Sequence, residues 1–168
     1  MAASGGTLQA ATVLDELRSC GVTHVVWLPD SETGYMYQAM LESELTLVPI
    51  CREGESMAVA AGLILGGKRP VVLIQSTGLY ESGDSVRGLC LDLHLPLLFM
   101  IGYRGYMGRG RTPTDSAARF LEPILDAWGI PHYVVESDAT CHHISEAYQK
   151  AQAESHPVAV LMGKEYGA

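Results

Sequence analysis

The sequence has few basic residues and no long apolar run. Lys and Arg number 11 against 19 Asp and Glu, so the formal net charge is −8. Because nucleic acids bind clustered Lys and Arg, this balance argues against a nucleic-acid partner. No run approaches the roughly 18 apolar residues of a membrane span, and the N-terminus lacks the basic start and apolar core of a secretory signal. We therefore expect a cytoplasmic protein that does not bind membranes.

Paired cysteines and the common phosphate-binding motifs are also missing. The four cysteines form no CxxC pair, which favours reduced thiols over a disulfide framework. Cys141-His142-His143 groups possible metal ligands, but neighbours on a helix point to different faces, so we predict no metal site. Neither GxxxxGK[ST] nor GxGxxG occurs, which argues against the usual nucleotide-binding loops.

The sequence does contain a regular alternation of strand and helix patterns. Its 168 residues, 48% hydrophobic, suit one folded domain spanning 1–168. The predicted strands are 23–28, 45–50, 71–74, 97–101, 131–135 and 157–161. The predicted helices are 7–20, 33–42, 54–65, 81–92, 116–128 and 139–154. This alternation predicts an α/β fold: a three-layer, doubly wound, mainly parallel six-stranded sheet with helices on both faces.

Several polar segments directly follow predicted strands. Asp30 and Ser31, Glu53, the segment 75–79 and the segment 102–112 all have this position. Ligands of doubly wound sheets bind beyond the carboxyl ends of the strands, so we expect these segments at one functional edge.

Glu53 begins a helix made almost wholly of small and apolar residues. A Glu in the first turn of a helix is favoured by the helix dipole, and on that ground alone a structural role is favoured. However, the helix is apolar nearly all round, which predicts burial on every side and partial removal of Glu53 from water. Such a carboxylate would suit proton exchange. The small residues Ala58, Ala60, Ala61 and Gly62 fit either packing within the domain or close approach by a partner subunit.

Two further segments each allow two interpretations. Gln75-Ser76-Thr77-Gly78-Leu79 is either a capped strand-to-helix turn or a polar loop that faces a ligand. The glycine-rich segment 102–115, with Arg104, Arg109 and Arg111, is predicted to be irregular and mobile. It is either a solvated loop or a cationic cover for an anionic substrate.

Several of these stretches resemble one family. Glu53 and Gly62 within an alanine-rich helix resemble the pyrimidine-binding domain of thiamine-diphosphate-dependent decarboxylases. Four other stretches are similar to the phosphonopyruvate and sulfopyruvate decarboxylase branch, and together they cover most of the chain in order. They are Leu28-Pro29-Asp30-Ser31, Gln75-Ser76-Thr77-Gly78-Leu79, Ile101-Gly102-Tyr103-Arg104-Gly105 and Leu125-Asp126-Ala127-Trp128-Gly129-Ile130-Pro131.

The resemblance implies a function and roles for individual residues. Glu53 would be the catalytic residue, because in this family the matching Glu hydrogen-bonds the aminopyrimidine ring of thiamine diphosphate and so promotes deprotonation of the thiazolium carbon. The reaction would decarboxylate an anionic 2-oxo acid, 3-sulfopyruvate or phosphonopyruvate; 3-sulfopyruvate would give sulfoacetaldehyde and CO2. The implied cofactor contacts are Glu53, Gln75, Ser76, Thr77 and Gly78, and the implied substrate contacts are Asp30, Ser31, Leu79 and Arg104.

One departure from the family pattern changes this expectation. Full-length members also have a diphosphate domain in which Gly-Asp-Gly and a later Asn hold a divalent metal. The nearest stretch here, Ser82-Gly83-Asp84-Ser85, lacks the second Gly and falls in a predicted helix. The resemblance is therefore to the α subunit of a split sulfopyruvate decarboxylase, whose separate β subunit would hold Mg²⁺ and the diphosphate.

The resemblance also implies that activity needs both chains, and we expect this chain to form homo-oligomers as well. Two alternatives stay open at this stage. The chain could be a non-catalytic domain that binds a small anion or a partner and retains the fold. A flavodoxin-like electron carrier is disfavoured because no phosphate loop for a flavin is evident.

Overall fold

The computed structural model describes residues 7–163, which form a six-stranded parallel sheet. The strands are β1 (His24–Trp27), β2 (Thr46–Pro49), β3 (Pro70–Gln75), β4 (Leu98–Gly102), β5 (His132–Val135) and β6 (Val158–Met162). Their order across the sheet is β2-β1-β3-β4-β6-β5, and every neighbouring pair is parallel. The predicted doubly wound α/β fold is confirmed. That residues 1–168 form a single domain stays a prediction, as does the cytoplasmic location.

Helices connect the strands. They are α1 (Ala10–Ser19), α2 (Tyr37–Leu41), α3 (Glu53–Leu65), α4 (Ser76–Glu81), α5 (Gly83–Ser85), α6 (Ser116–Arg119), α7 (Leu121–Ala127) and α8 (His142–Glu154). Short 3₁₀ turns at Gly34–Met36 and Asp138–Thr140 precede α2 and α8, and a π-helical segment, Val86–Leu91, follows α5. None of the helices within residues 7–163 has the length and apolar character needed to span a bilayer.

Two apolar clusters cover opposite faces of the sheet. Successive residues of each strand point to opposite faces, so Val25 belongs to one cluster and Val26 to the other. The first cluster packs α1, α2 and α8 on the sheet, and the second packs α3, α4 and α7. The central strands β3, β4 and β6 are buried almost throughout, as expected for a sheet covered on both sides.

The segment 75–79 is not a loop. Helix α4 begins at Ser76, directly after β3, and Gln75 is both the last residue of the strand and the N-cap of the helix. The predicted helix 81–92 therefore begins five residues too late. Gly78 lowers the intrinsic helix propensity of this stretch, but the packing of α4 against α3 outweighs that penalty.

The predicted helix 116–128 is interrupted at Phe120. Pro123 has no amide hydrogen, so it cannot donate the bond to Arg119 that would carry one continuous helix through this point. The chain instead ends α6 at Arg119 and begins α7 at Leu121, which places Pro123 in the first turn, where it is tolerated.

Within this chain, the helix after β2 is not buried on every side, contrary to the expectation from its apolar sequence. Its inner face, including Met57 and Ala60, is fully buried against the sheet. Ala58 and Gly62 on the outer face are exposed, and Leu65 is 87% exposed. Burial within the described part of this chain therefore does not explain why the outward residues of α3 are small and apolar.

Candidate active site

The predicted site residues follow four adjacent strands. Glu53 comes after β2, Asp30 after β1, Gln75 ends β3, and Arg104 follows β4. Since all strands are parallel, these residues lie at the same edge of the sheet. The chain passes from β1 to β2 in one direction and then returns across β1 to β3, so β1 and β3 flank the point where a ligand crevice is expected.

Glu53 and Gly78 are brought into direct contact by α3 and α4. A Cβ placed on Gly78 would lie 2.5 Å from Glu53 Cγ and 2.7 Å from its Oε1, closer than real atoms approach. The glycine therefore provides the space that the Glu53 side chain occupies.

Glu53 differs from the two other carboxylates at the start of α3. Glu55 accepts a hydrogen bond from the Cys51 amide at 2.8 Å. Glu81, at the end of α4, accepts one from the Gly54 amide at 2.5 Å and pairs with Arg52. The Glu53 carboxylate has no hydrogen bond or ion pair with residues 7–163. The structural roles are thus filled by its neighbours, and Glu53 remains available to a ligand.

Gln75 and Ser76, the residues at the junction of β3 and α4, each have one polar atom without a hydrogen-bond partner among residues 7–163. The Oε1 atom of Gln75 and the Oγ atom of Ser76 are buried, and neither has a hydrogen-bond partner in the described part of the chain. Buried polar atoms in native proteins are usually paired, so two orphans in consecutive residues indicate a binding position. Thr77, in the same helical turn, is partly buried.

Asp30 organises the turn after β1. Its Oδ1 accepts the Glu32 and Thr33 amides at 2.7 and 2.8 Å, and its Oδ2 accepts the Thr33 hydroxyl at 3.0 Å. The Trp27 indole donates to that hydroxyl at 2.9 Å, which ties the turn to β1. Asp30 thus has a structural function that the sequence did not reveal.

Asp30 and Ser31 also line an open cavity of about 880 Å³. Trp27, Tyr37 and Leu47 form part of its wall, so it lies toward α2, and Glu53 is not in its lining. Leu79, by contrast, is completely buried in the core cluster shared by α3, α4 and α7. The arrangement therefore does not bring Leu79 to a surface, and its predicted substrate contact remains a prediction.

The glycine- and arginine-containing segment after β4 contains no helix or strand between Tyr103 and Asp115, as predicted, but it is attached to the protein body. The Tyr103 hydroxyl donates to Glu122 and the Tyr106 hydroxyl to Glu136, each at 2.6 Å. Burial, followed by these hydrogen bonds, raises the pKa of both tyrosines above the ordinary range, so both stay neutral donors at physiological pH.

Two of the three arginines of this segment are partly neutralised. Arg104 lies 3.6 Å from Asp115, and Arg109 lies 3.8 Å from Glu136. Both arginine side chains are at least half exposed. Such exposed pairs are weak, so an anionic ligand could compete for either guanidinium.

A group of possible metal ligands lies far along the chain from these residues, at the start of α8. The ligand atoms of His142, His143 and Glu146 lie within 4.8 Å of one another, and the two imidazole rings are 4.3 Å apart. The sequence argument that neighbouring histidines point to different faces is therefore wrong. His143 already pairs with Glu146 at 3.0 Å, and the absence of a metal site stays a prediction.

The chain is similar to proteins of one enzymatic group. A sulfopyruvate decarboxylase subunit alpha from Methanothermobacter thermautotrophicus is 31% identical over 120 residues, which cover 71% of this chain and 73% of that protein. A protein named sulfopyruvate decarboxylase from Methanosarcina acetivorans is 24% identical over 123 residues, which cover 73% of this chain but 32% of that protein. A phosphonopyruvate decarboxylase from Streptomyces hygroscopicus is 28% identical over 107 residues, 63% of this chain and 27% of that protein. No family model matches the sequence.

Solved structures show the same fold. Benzoylformate decarboxylase from Polynucleobacter necessarius superposes with a TM-score of 0.69, and a Mycobacterium smegmatis protein assigned as a thiamin diphosphate-dependent enzyme superposes with 0.66. Both are 20% identical to this chain. The match covers more than nine-tenths of this chain but 29% and 30% of those chains, respectively, so it corresponds to one part of each.

Proposed function

The chain belongs to the sulfopyruvate decarboxylase α-subunit family, and we propose that it supplies the pyrimidine-binding half of a thiamine-diphosphate-dependent decarboxylase. The reaction would be the conversion of 3-sulfopyruvate to sulfoacetaldehyde and CO2. One observation carries the proposal: Glu53 is a carboxylate without a partner among residues 7–163, held over Gly78 at the ligand-binding edge of the sheet.

The residues around Glu53 fit an aminopyrimidine. Such a ring presents both donors and acceptors, and the orphaned Gln75 Oε1 and Ser76 Oγ offer an acceptor and a hydroxyl. Glu53 would share a proton with a ring nitrogen, while Gly78 leaves room for the carboxylate to do so. Thiamine diphosphate, when bound, supplies the electron sink for the pair left by the departing CO2.

A separate β subunit would supply the rest of the site. The Gly-Asp-Gly pattern is absent, and in its nearest counterpart Asp84 lies in α5 and pairs with Arg87 at 2.8 Å. The match to the Methanosarcina acetivorans protein covers 32% of that longer chain, so most of that enzyme lies outside the matched region. A diphosphate-domain partner that also holds Mg²⁺ would provide it.

The exposed side of α3 is the surface that this partner would cover. Ala58, Gly62 and Leu65 form an outward apolar stripe on the helix whose first residue is Glu53. A Cβ at Gly62 would meet no atom within 4 Å, so another chain can approach the backbone closely there. A subunit seated along this stripe would bring its half of the site to the first turn of α3.

The arginines after β4 support an anionic substrate. Arg104 follows the strand next to β3, and its weak pair with Asp115 can be replaced by a sulfonate or phosphonate. The sulfonate is preferred because the α-subunit relative matches a larger part of this chain at higher identity than the phosphonopyruvate decarboxylase does.

The test is to co-express the chain with the diphosphate-domain subunit from its own genome and to purify the complex. With thiamine diphosphate and Mg²⁺, we expect CO2 release from sulfopyruvate by the complex and none by either chain alone. Phosphonopyruvate and pyruvate serve as competing substrates. An assembled complex that releases no CO2 from any of the three would overturn the proposal.

A further inference from the structure

We propose that Glu81 is a positioning residue that fixes Glu53 by binding the chain on both sides of it. This inference rests on the proposed function, because it concerns the same carboxylate. Glu81 was not among the site residues predicted from the sequence.

The two oxygens of Glu81 contact the residues immediately before and after Glu53. Oε1 accepts a hydrogen bond from the Arg52 guanidinium, and Oε2 accepts one from the Gly54 amide at 2.5 Å. The Ser85 hydroxyl adds a third contact by donating to the Gly54 carbonyl at 2.7 Å. The backbone around Glu53 is therefore attached to the segment 81–85.

No side chain of α3 makes this contact to Gly54. The N-cap residue, Arg52, makes no side-chain cap bond, and Glu55 is engaged with the Cys51 amide. The Gly54 amide is one of the first amides of α3 and has no partner within the helix. Glu81 therefore acts as a cap supplied by a different element, and its negative charge also suits the N-terminal end of a helix.

Helix α4 contacts Glu53 and its neighbours through two residues on one face. Gly78 and Glu81 are three positions apart and so lie on the same side of the helix. Gly78 lies under the Glu53 side chain, and Glu81 binds the backbone beside it. Gly54 permits this approach, because a Cβ there would lie 2.9 Å from Glu81 Oε2.

The contacts of Glu81 should affect the position of Glu53 more than the free energy of unfolding. The Arg52 side chain is 77% exposed and that of Glu81 is 30% exposed. Exposed ion pairs contribute little to folding, whereas a misplacement of a catalytic group by about 1 Å can lower turnover about 100-fold. Loss of Glu81 should therefore reduce catalysis while the fold persists.

The experiment compares Glu81→Ala, Glu81→Gln and the control Glu154→Ala. Glu154 makes an exposed pair with Lys150 on α8, away from the site. In the assembled enzyme, we expect Glu81→Ala to lower kcat about 10- to 100-fold per assembled complex, with KM changed less than about threefold. In the chain alone, Gly54 amide exchange should accelerate about tenfold or more.

Glu81→Gln distinguishes the effect of the hydrogen bond to Gly54 from the effect of the negative charge. Glu81→Gln keeps an acceptor for the Gly54 amide, so it should recover most of the turnover and of the exchange protection. Glu154→Ala should match the wild type in both measurements. A Glu81→Ala enzyme with kcat within about twofold of wild type would overturn the inference. An inactive wild-type complex would contradict the proposed function but would not test Glu81. In that case the exchange measurement decides: an unchanged exchange rate of the Gly54 amide in Glu81→Ala would overturn the role of Glu81.

Discussion

The side chain of Glu53 lies directly over Gly78, where a Cβ would be 2.5 Å from Glu53 Cγ. Gly78 sits within α4 and has no positive φ, so backbone freedom is not the reason for the glycine. Its value is the space that it leaves for a carboxylate from another helix. The contact joins the first turn of α3 to α4 at the carboxyl end of the sheet.

Substitution of Gly78 tests this relationship. Gly78→Ala should displace the Glu53 side chain and lower kcat about 100-fold in the assembled enzyme. Gly88→Ala is the matched control, since a Cβ there meets nothing within 4 Å. Steady-state CO2 release measures the effect. Equal activity of the two variants would show that the position of Glu53 does not depend on Gly78.

The exposed stripe of α3 predicts a specific assembly defect. Leu65 is 87% exposed and Leu93 is 60% exposed, so an Asp at either position should leave the fold of the chain intact. Leu65→Asp should weaken binding of the β subunit at least about tenfold, because it would place an unpaired charge in the interface. Leu93→Asp should bind normally. Isothermal titration of each chain with the β subunit gives the comparison, and equal affinities would exclude α3 from the interface.

Arg104 is predicted to bind the anionic tail of the substrate. Arg104→Gln should raise KM for sulfopyruvate about 10- to 100-fold with a small change in kcat, because a charge-assisted contact to bound substrate is lost. Arg18→Gln, which breaks only the exposed pair with Asp15 on α1, is the control. An unchanged KM in Arg104→Gln would remove Arg104 from the substrate site.

The buried hydroxyl of Tyr103 predicts a change in stability at alkaline pH. Burial and the bond to Glu122 raise the pKa of Tyr103 in the folded state above its unfolded value of about 10. The contribution of this hydroxyl to the free energy of unfolding is therefore complete below about pH 10 and is lost as the pH rises further. Between about pH 10 and 11, the free energy of unfolding should fall about 1 kcal/mol more in wild type than in Tyr103→Phe. Urea unfolding of both proteins measures this, and parallel pH profiles would contradict it.

The sheet and the position of the candidate residues at one of its edges were predictable because their signals are local. Continuous apolar runs such as 71–74 mark strands buried on both faces, and the alternation with helices implies parallel pairing. Once the sheet is parallel, residues that follow its strands must share an edge, so Asp30, Glu53, Gln75 and Arg104 could be grouped without coordinates. The interruption of the helix at Phe120 could also have been predicted, since Pro123 lies inside the predicted helix.

The contacts that give the site its geometry were not predictable, because they join residues far apart in sequence. Glu81 reaches Gly54 across 27 positions, and the pairing of Glu53 with Gly78 depends on α4 beginning without a loop. Local propensity gave the opposite expectation for 75–79, since Gly78 favours a turn. The exposure of Leu65 was missed for a different reason. An apolar helix is normally buried, and the sequence does not say whether its own chain or a partner covers it.

The most direct test of the central claim is the turnover of the assembled enzyme with Glu53→Gln. Gln keeps the size of the side chain but cannot exchange a proton as a carboxylate does, so the complex should form with unchanged affinity. We predict that CO2 release from sulfopyruvate falls at least about 100-fold, as for loss of a general acid–base group. A Glu53→Gln complex that keeps wild-type kcat would contradict the assignment of Glu53 as the catalytic carboxylate.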